Sequence, residues 1–204
     1  MTETSNAFDA AGASSGKDPR PSLMQAIALA GETLSGIRPD QYDNPTPCPD
    51  YDVRAVANHF VSVLRRIAVL GTGGDFFSVP HFAEDVAEGE WDVAWEAGAR
   101  EAAEAWADPA SLERQIVLPW TSQSGAVMAA SYTTEVTLHT WDLAQATGQQ
   151  PKWDPEVLGG QLAVMREAMP AQPRGNPVPF GPVVEVPENA PEIDRLVGWY
   201  GRKP

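Results

Sequence analysis

The sequence predicts an all-α protein, an antiparallel four-helix bundle extended by a short C-terminal helix and a proline-rich wrap. Three observations carry that prediction. Apolar residues recur at three- and four-residue steps through several long stretches. Proline- and glycine-rich passages separate those stretches, and "SLERQIVLPW" (111–120) alone has some strand character. Amphipathic helices with so little strand bury their apolar faces against one another.

Residues 1–20, "MTETSNAFDAAGASSGKDPR", offer almost nothing to bury and read as a disordered leader to one domain over 21–204. In "SLMQAIALAGETLSGI", Leu23, Ile27, Ala30, Leu34 and Ile37 form one stripe, with Ser22 as the N-cap. Four prolines in "RPDQYDNPTPCPDY" break that helix. Asp52 caps a second, "VRAVANHFVSVLRRIAVLG", whose stripe is Val56, Phe60, Val63, Ile67 and Leu70 and whose terminator is Gly71. The following "GTGGDFF" comes after a helix rather than a strand and lacks the Lys-Ser/Thr ending of a phosphate loop, so it reads as a connector. Trp91, Trp95, Ala99, Ala102 and Trp106 place a third helix in "EWDVAWEAGAREAAEAWAD", weakened by Gly98. The fourth runs from Gly125 to Gly148, with Tyr132, Val136, Leu143 and Ala146 marking its buried stripe. Asp154 and Pro155 open a fifth, continued by Leu158, Leu162, Met165 and Met169. "PAQPRGNPVPFGPVVEVPENAP" is irregular and docks through Phe180, Val183, Val184 and Val186, and "EIDRLVGWYG" closes the chain as a short helix.

A chain of 204 residues with 43% hydrophobic content can bury one substantial core. Its net charge of −14 and pI near 4.5 weigh against nucleic acid or an anionic membrane as partner, since both repel an acidic surface. One cysteine, Cys48, permits no internal disulfide, which suits a reducing cytoplasm. The first twenty residues lack the basic start and continuous apolar run expected of a secretory signal, and no stretch of the sequence reaches bilayer-spanning length. The expected protein is cytoplasmic, a monomer or a homodimer, acting on small molecules.

The chemistry concentrates in "TTEVTLHTWDLAQATG" (133–148), where Glu135 and His139 lie four residues apart on or beside the buried stripe. A buried carboxylate needs compensation. In the structural alternative, Glu135 pairs with an arginine of another helix and His139 is a hydrogen-bonded core imidazole. His59 tips the balance toward a shared ion, because it borders a buried face of a different helix. Two imidazoles and one carboxylate suit Zn²⁺, with Ni, Fe or Mn as alternatives and a fourth position open to water or substrate. Among the neighbours, His81 reads as surface or packing, with reach to the site mouth as the lesser alternative, and Trp141 reads as packing. Asp142 reads as a partner for Arg54 that holds two helices in register, in preference to orienting a ligand histidine. Cys48 has no neighbouring base in sequence and reads as neither nucleophile nor ligand, and Arg65 and Arg66 read as solvated or salt-bridged.

Three segments also carry a resemblance: "TPCPDYDVRAVANHF" (46–60), "EVTLHTWDLAQATGQ" (135–149) and "FGPVVEVPENAPEIDRLVGWYGRKP" (180–204). Together, in chain order over residues 22–204, they resemble the metal-binding-domain proteins related to mycothiol-dependent maleylpyruvate isomerase, within the DinB/YfiT-like superfamily. The resemblance implies a DinB-like four-helix bundle holding a divalent metal through His59, Glu135 and His139. It further implies that the metal activates a small thiol such as mycothiol for attack on an electrophile, by isomerisation or transfer, with metal-dependent hydrolysis or a non-catalytic binding module as alternatives. The characterised isomerase carries an additional C-terminal domain. After residue 155 this chain has room only for one helix, the proline-rich wrap and the short terminal helix, so it resembles the shorter branch of the family.

Overall fold

The computed structural model describes residues 17–49, 51–169, 171, 172, 174 and 180–204. Most of the expected leader and part of the proline-rich segment lie outside the described residues. The fold is mostly helical, and a two-strand hairpin is the only sheet among the described residues. Two compact units divide it, one made of Asp18–Ile116 with Ser124–Lys152, the other containing Val117–Gln123 and Trp153–Pro204.

In the first unit, α1 spans Arg20–Ser35, α2 Val53–Thr72, α3 Trp91–Ala105, α4 Ala110–Glu113 and α5 Gly125–Thr147. Helix α1 packs against α3 and α5, and α2 packs against the same two. The start of α1 differs from the sequence reading: Pro19 is its cap residue and Ser22 lies inside the first turn. Asp52 does cap α2, accepting from the Ala55 amide at 2.8 Å. The terminator of α2 is Gly73, in the left-handed conformation at φ 80°, and not Gly71. Gly71 serves packing instead, since a Cβ there would lie 2.7 Å from Nε1 of Trp106.

The tryptophans of the third helical stretch show why it folds where it does. Each buries a large apolar ring and donates its indole N–H to a neighbouring helix: Trp91 to Asn58 Oδ1 at 2.9 Å, Trp95 to the Ile27 carbonyl at 2.9 Å, and Trp106 to the Ile67 carbonyl at 2.8 Å. Helix α3 is thereby pinned to α1 and α2 at three points.

Helix α5 is buried well beyond the expected stripe, and every residue from Val136 to Ala144 is buried. Its threonines permit this. Thr133, Thr137, Thr140 and Thr147 donate to the carbonyls four residues earlier at 2.7–2.8 Å, so their hydroxyls are satisfied within the helix itself. Gly148, left-handed at φ 70°, ends it.

The expected strand is present as β1 (Gln115–Leu118), paired with β2 (Thr121–Ser124), a strand the sequence reading did not include. In the second unit, α6 (Pro155–Ala168) is capped by Asp154, which accepts from the Glu156 amide at 2.8 Å, and α6 packs on α7 (Glu192–Trp199). Phe180 meets Tyr200 edge-on at 4.7 Å, and the Val184 amide donates to the Gly198 carbonyl at 2.9 Å, so this part of the proline-rich segment is held on α7. No helix among the described residues is long and apolar enough to cross a membrane.

Candidate metal centre

Helix α2 carries His59, and the facing helix α5 carries Glu135, His139 and Asp142. His59 and His139 are each 6% exposed, and their rings stand nearly perpendicular with centroids 5.2 Å apart. The Glu135 side chain retains 34% of its surface in solvent. Its Oε1 lies 3.3 Å from Nε2 of His139 and 3.8 Å from Nε2 of His59. One ligand atom from each of the three lies within 4.8 Å of the others. Ligand atoms around one tetrahedral Zn²⁺ at about 2.0–2.2 Å stand roughly 3.3 Å apart, so the cluster is close to a metal-binding spacing.

The other ring nitrogens are occupied. Nδ1 of His59 donates to the His81 carbonyl at 3.1 Å, and Nδ1 of His139 donates to Oδ2 of Asp142 at 3.1 Å. A carbonyl or carboxylate only accepts, so both Nδ1 atoms carry hydrogen and both Nε2 atoms face the Glu135 carboxylate. Ligand histidines are commonly oriented in this way by a partner behind the ring. The donor set therefore fits a divalent ion.

Electrostatics couple the three groups. Burial alone would raise the Glu135 carboxyl, but His139 first and then His59 outweigh it and hold the group well below the usual carboxylate range. Burial likewise opposes charge on His139, yet Glu135 and Asp142 raise its imidazole to about 9. Without an ion, the cluster is held together by an imidazolium between two carboxylates.

Several neighbours depart from the sequence reading. Asp142 does not pair with Arg54, which meets Asp43 and Glu88; it stands behind His139. Although exposed, His81 borders the centre, with its ring 4.4 Å from that of His59 and Nε2 2.7 Å from the Tyr51 hydroxyl. Cys48 has no base beside it in sequence but comes within 4.8 Å of ligand atoms of both His139 and Asp142, forming a second group of metal-ligating type. Only the fold brings that loop to α5, and no spacing rule could have found it. Arg65 is salt-bridged to Asp85 as expected, whereas Arg66 donates to the Val79 carbonyl and pairs with no acid among the described residues. Trp141 is buried packing, as expected.

Residues 23–144 match the family described as the mycothiol maleylpyruvate isomerase N-terminal domain, a member of the DinB-like superfamily. The chain belongs to this family. All three clustered residues fall inside the matched span. Two similar proteins, both named only as uncharacterized, come from Mycobacterium tuberculosis strains CDC 1551 / Oshkosh and ATCC 25618 / H37Rv. Each is 31% identical over 186 residues, covering 91% of this chain and 98% of its own length. No solved structure matches significantly. Membership in the mycothiol maleylpyruvate isomerase N-terminal family and the clustered ligand groups together indicate a mycothiol-related, metal-binding protein.

Proposed function

We propose that His59, Glu135 and His139 hold one divalent ion, Zn²⁺ in the first instance, inside an antiparallel four-helix bundle formed by α1, α2, α3 and α5. This centre activates a small thiol of the mycothiol type for transfer to, or isomerisation of, an electrophilic small molecule in the cytoplasm. One observation carries the reading: both imidazoles commit Nδ1 to a fixed acceptor and turn Nε2 toward the same carboxylate oxygen. Ordinary core packing requires no such convergence.

Once bound, the ion would supply the positive charge that lets a thiol ionise at neutral pH. The chain's own residues do the rest. Asp142 and the His81 carbonyl fix the two rings, and the apolar neighbours Phe60 and Phe82 crowd water from them. Glu135, a third exposed, marks the open side through which thiol and electrophile arrive. That opening favours an enzyme over a purely structural site, which closes its ligand shell.

The test is incubation of metal-loaded protein with mycothiol and a panel of electrophiles, read by mass spectrometry. Thioether or isomerised products that vanish in His139→Ala support the proposal. Water-derived products alone would make it a hydrolase, and binding without turnover would make it a ligand-binding module.

A further inference from the structure

The two histidines of the centre are held by different means. Asp142, which accepts from His139, stands three residues further along the same helix. The matching place after His59 is Ser62, whose buried hydroxyl has no partner among the described residues. His59 therefore takes its acceptor from outside α2, from the His81 carbonyl in the loop that precedes α3.

That loop is tied down on both sides of His81. The Val79 carbonyl accepts from Nη2 of Arg66 at 3.1 Å, and the Ala83 amide donates to the Asn58 carbonyl at 3.1 Å. Val79 and Ala83 are buried, whereas His81 between them is exposed. What fixes its side chain is the Tyr51 hydroxyl, 2.7 Å from Nε2. Tyr51 is itself well placed to hold it, because its amide donates to the Cys48 carbonyl at 3.1 Å, its carbonyl accepts from the Thr46 hydroxyl at 2.6 Å, and the adjacent Asp52 caps α2. The His59 ring lies 4.4 Å from that of His81 and 5.7 Å from that of Tyr51, so the three share one corner. Restraining the His81 side chain restrains the residue whose carbonyl orients His59.

We propose that Tyr51 is a positioning residue of the metal centre, acting through His81 to hold the His59 ring with Nε2 toward Glu135. The inference deepens the metal-centre reading and rests on it for the affinity measurement below.

Tyr51→Phe keeps the ring and removes only the hydroxyl, whereas His81→Ala keeps the carbonyl and removes only the imidazole. Each should lower Zn²⁺ affinity roughly two- to tenfold in chelator competition, the worth of one hydrogen bond. The double variant should lose no more than either single one, since both cut the same link. His81→Gln, whose side-chain amide can still accept from the phenol, should recover part of the loss. A general loosening of the fold would not single out one ring. In the metal-stripped full-length chain, followed by heteronuclear NMR, the Nδ1 proton of His59 should exchange with water at least about threefold faster in Tyr51→Phe. The Nδ1 proton of His139, held by Asp142, should be unaffected. Wild-type Zn²⁺ affinity in both single variants, losses that add in the double variant, or equal acceleration of both ring protons overturns the proposal. If the wild-type chain takes up no metal, the centre reading falls, and the ring-proton exchange alone decides the role of Tyr51. Should Tyr51→Phe fail to fold, His81→Ala carries the same two measurements.

Discussion

Nδ1 of His139 donates to Oδ2 of Asp142 across 3.1 Å, and Asp142 has no exposed surface at all. A fully buried carboxylate behind an imidazole fixes both the ring's direction and which nitrogen carries hydrogen. Asp142→Asn should lower metal affinity about 10- to 100-fold, measured by competition with a chromogenic chelator, while His139→Ala abolishes binding. Wild-type affinity in the Asp142 variant would return Asp142 to a purely architectural role.

The metal-free cluster should respond to pH in a defined direction. The folded His139 value, about 9, lies above its ordinary 6.5, so its stabilising contribution is complete below pH 6.5 and is lost as pH rises through 9. Glu135 is shifted downward, so its contribution is complete above its ordinary value of 4.5 and is lost as pH falls toward the lowered one. An incoming ion must displace the Nε2 proton of His139. Apparent metal affinity should therefore climb between pH 7 and 9, by up to about tenfold per unit, and then level off. A pH-independent affinity over that window, measured by chelator competition, would show that no such proton is displaced.

Cys48 poses a competing arrangement, because its sulfur shares a neighbourhood with His139 and Asp142. If the ion sits among His59, Glu135 and His139, Cys48→Ser keeps full metal stoichiometry, and the Co²⁺-loaded wild type shows no thiolate-to-cobalt charge-transfer band. A band that disappears in the variant would place the ion on the Cys48 side.

Gly71→Ala tests the packing of the helical frame. The new methyl group would meet the buried Trp106 at Nε1, 2.7 Å away, and the half-buried Ala105 Cβ at 2.9 Å. A loss of about 1–3 kcal/mol in urea denaturation is expected. Wild-type stability would mean that Trp106 can retreat without losing its bond to Ile67.

The helices were legible in the sequence because their apolar spacing and caps are local signals, as Asp52, Asp154 and Gly148 illustrate. Boundaries were less so: Gly71 and Gly73 look alike in sequence, and only the approach of Trp106 separates a packing glycine from a terminating one. The all-round burial of α5 was hidden because threonines score as polar, yet each of these satisfies its hydroxyl four residues back. His59, Glu135 and His139 were readable as a set because Glu135 and His139 share one helix and His59 borders a buried face. The positions of Cys48 and His81 around them depend on how loops return in space, which spacing along the chain does not encode.

The central claim is most directly tested by an anomalous difference map from crystals of the full-length protein grown with Zn²⁺ and recorded at the zinc edge. One strong peak is expected about 2.0–2.2 Å from Nε2 of His59, Nε2 of His139 and a Glu135 carboxylate oxygen. A map without a peak there, or with its only peak between Cys48 and Asp142, would contradict it.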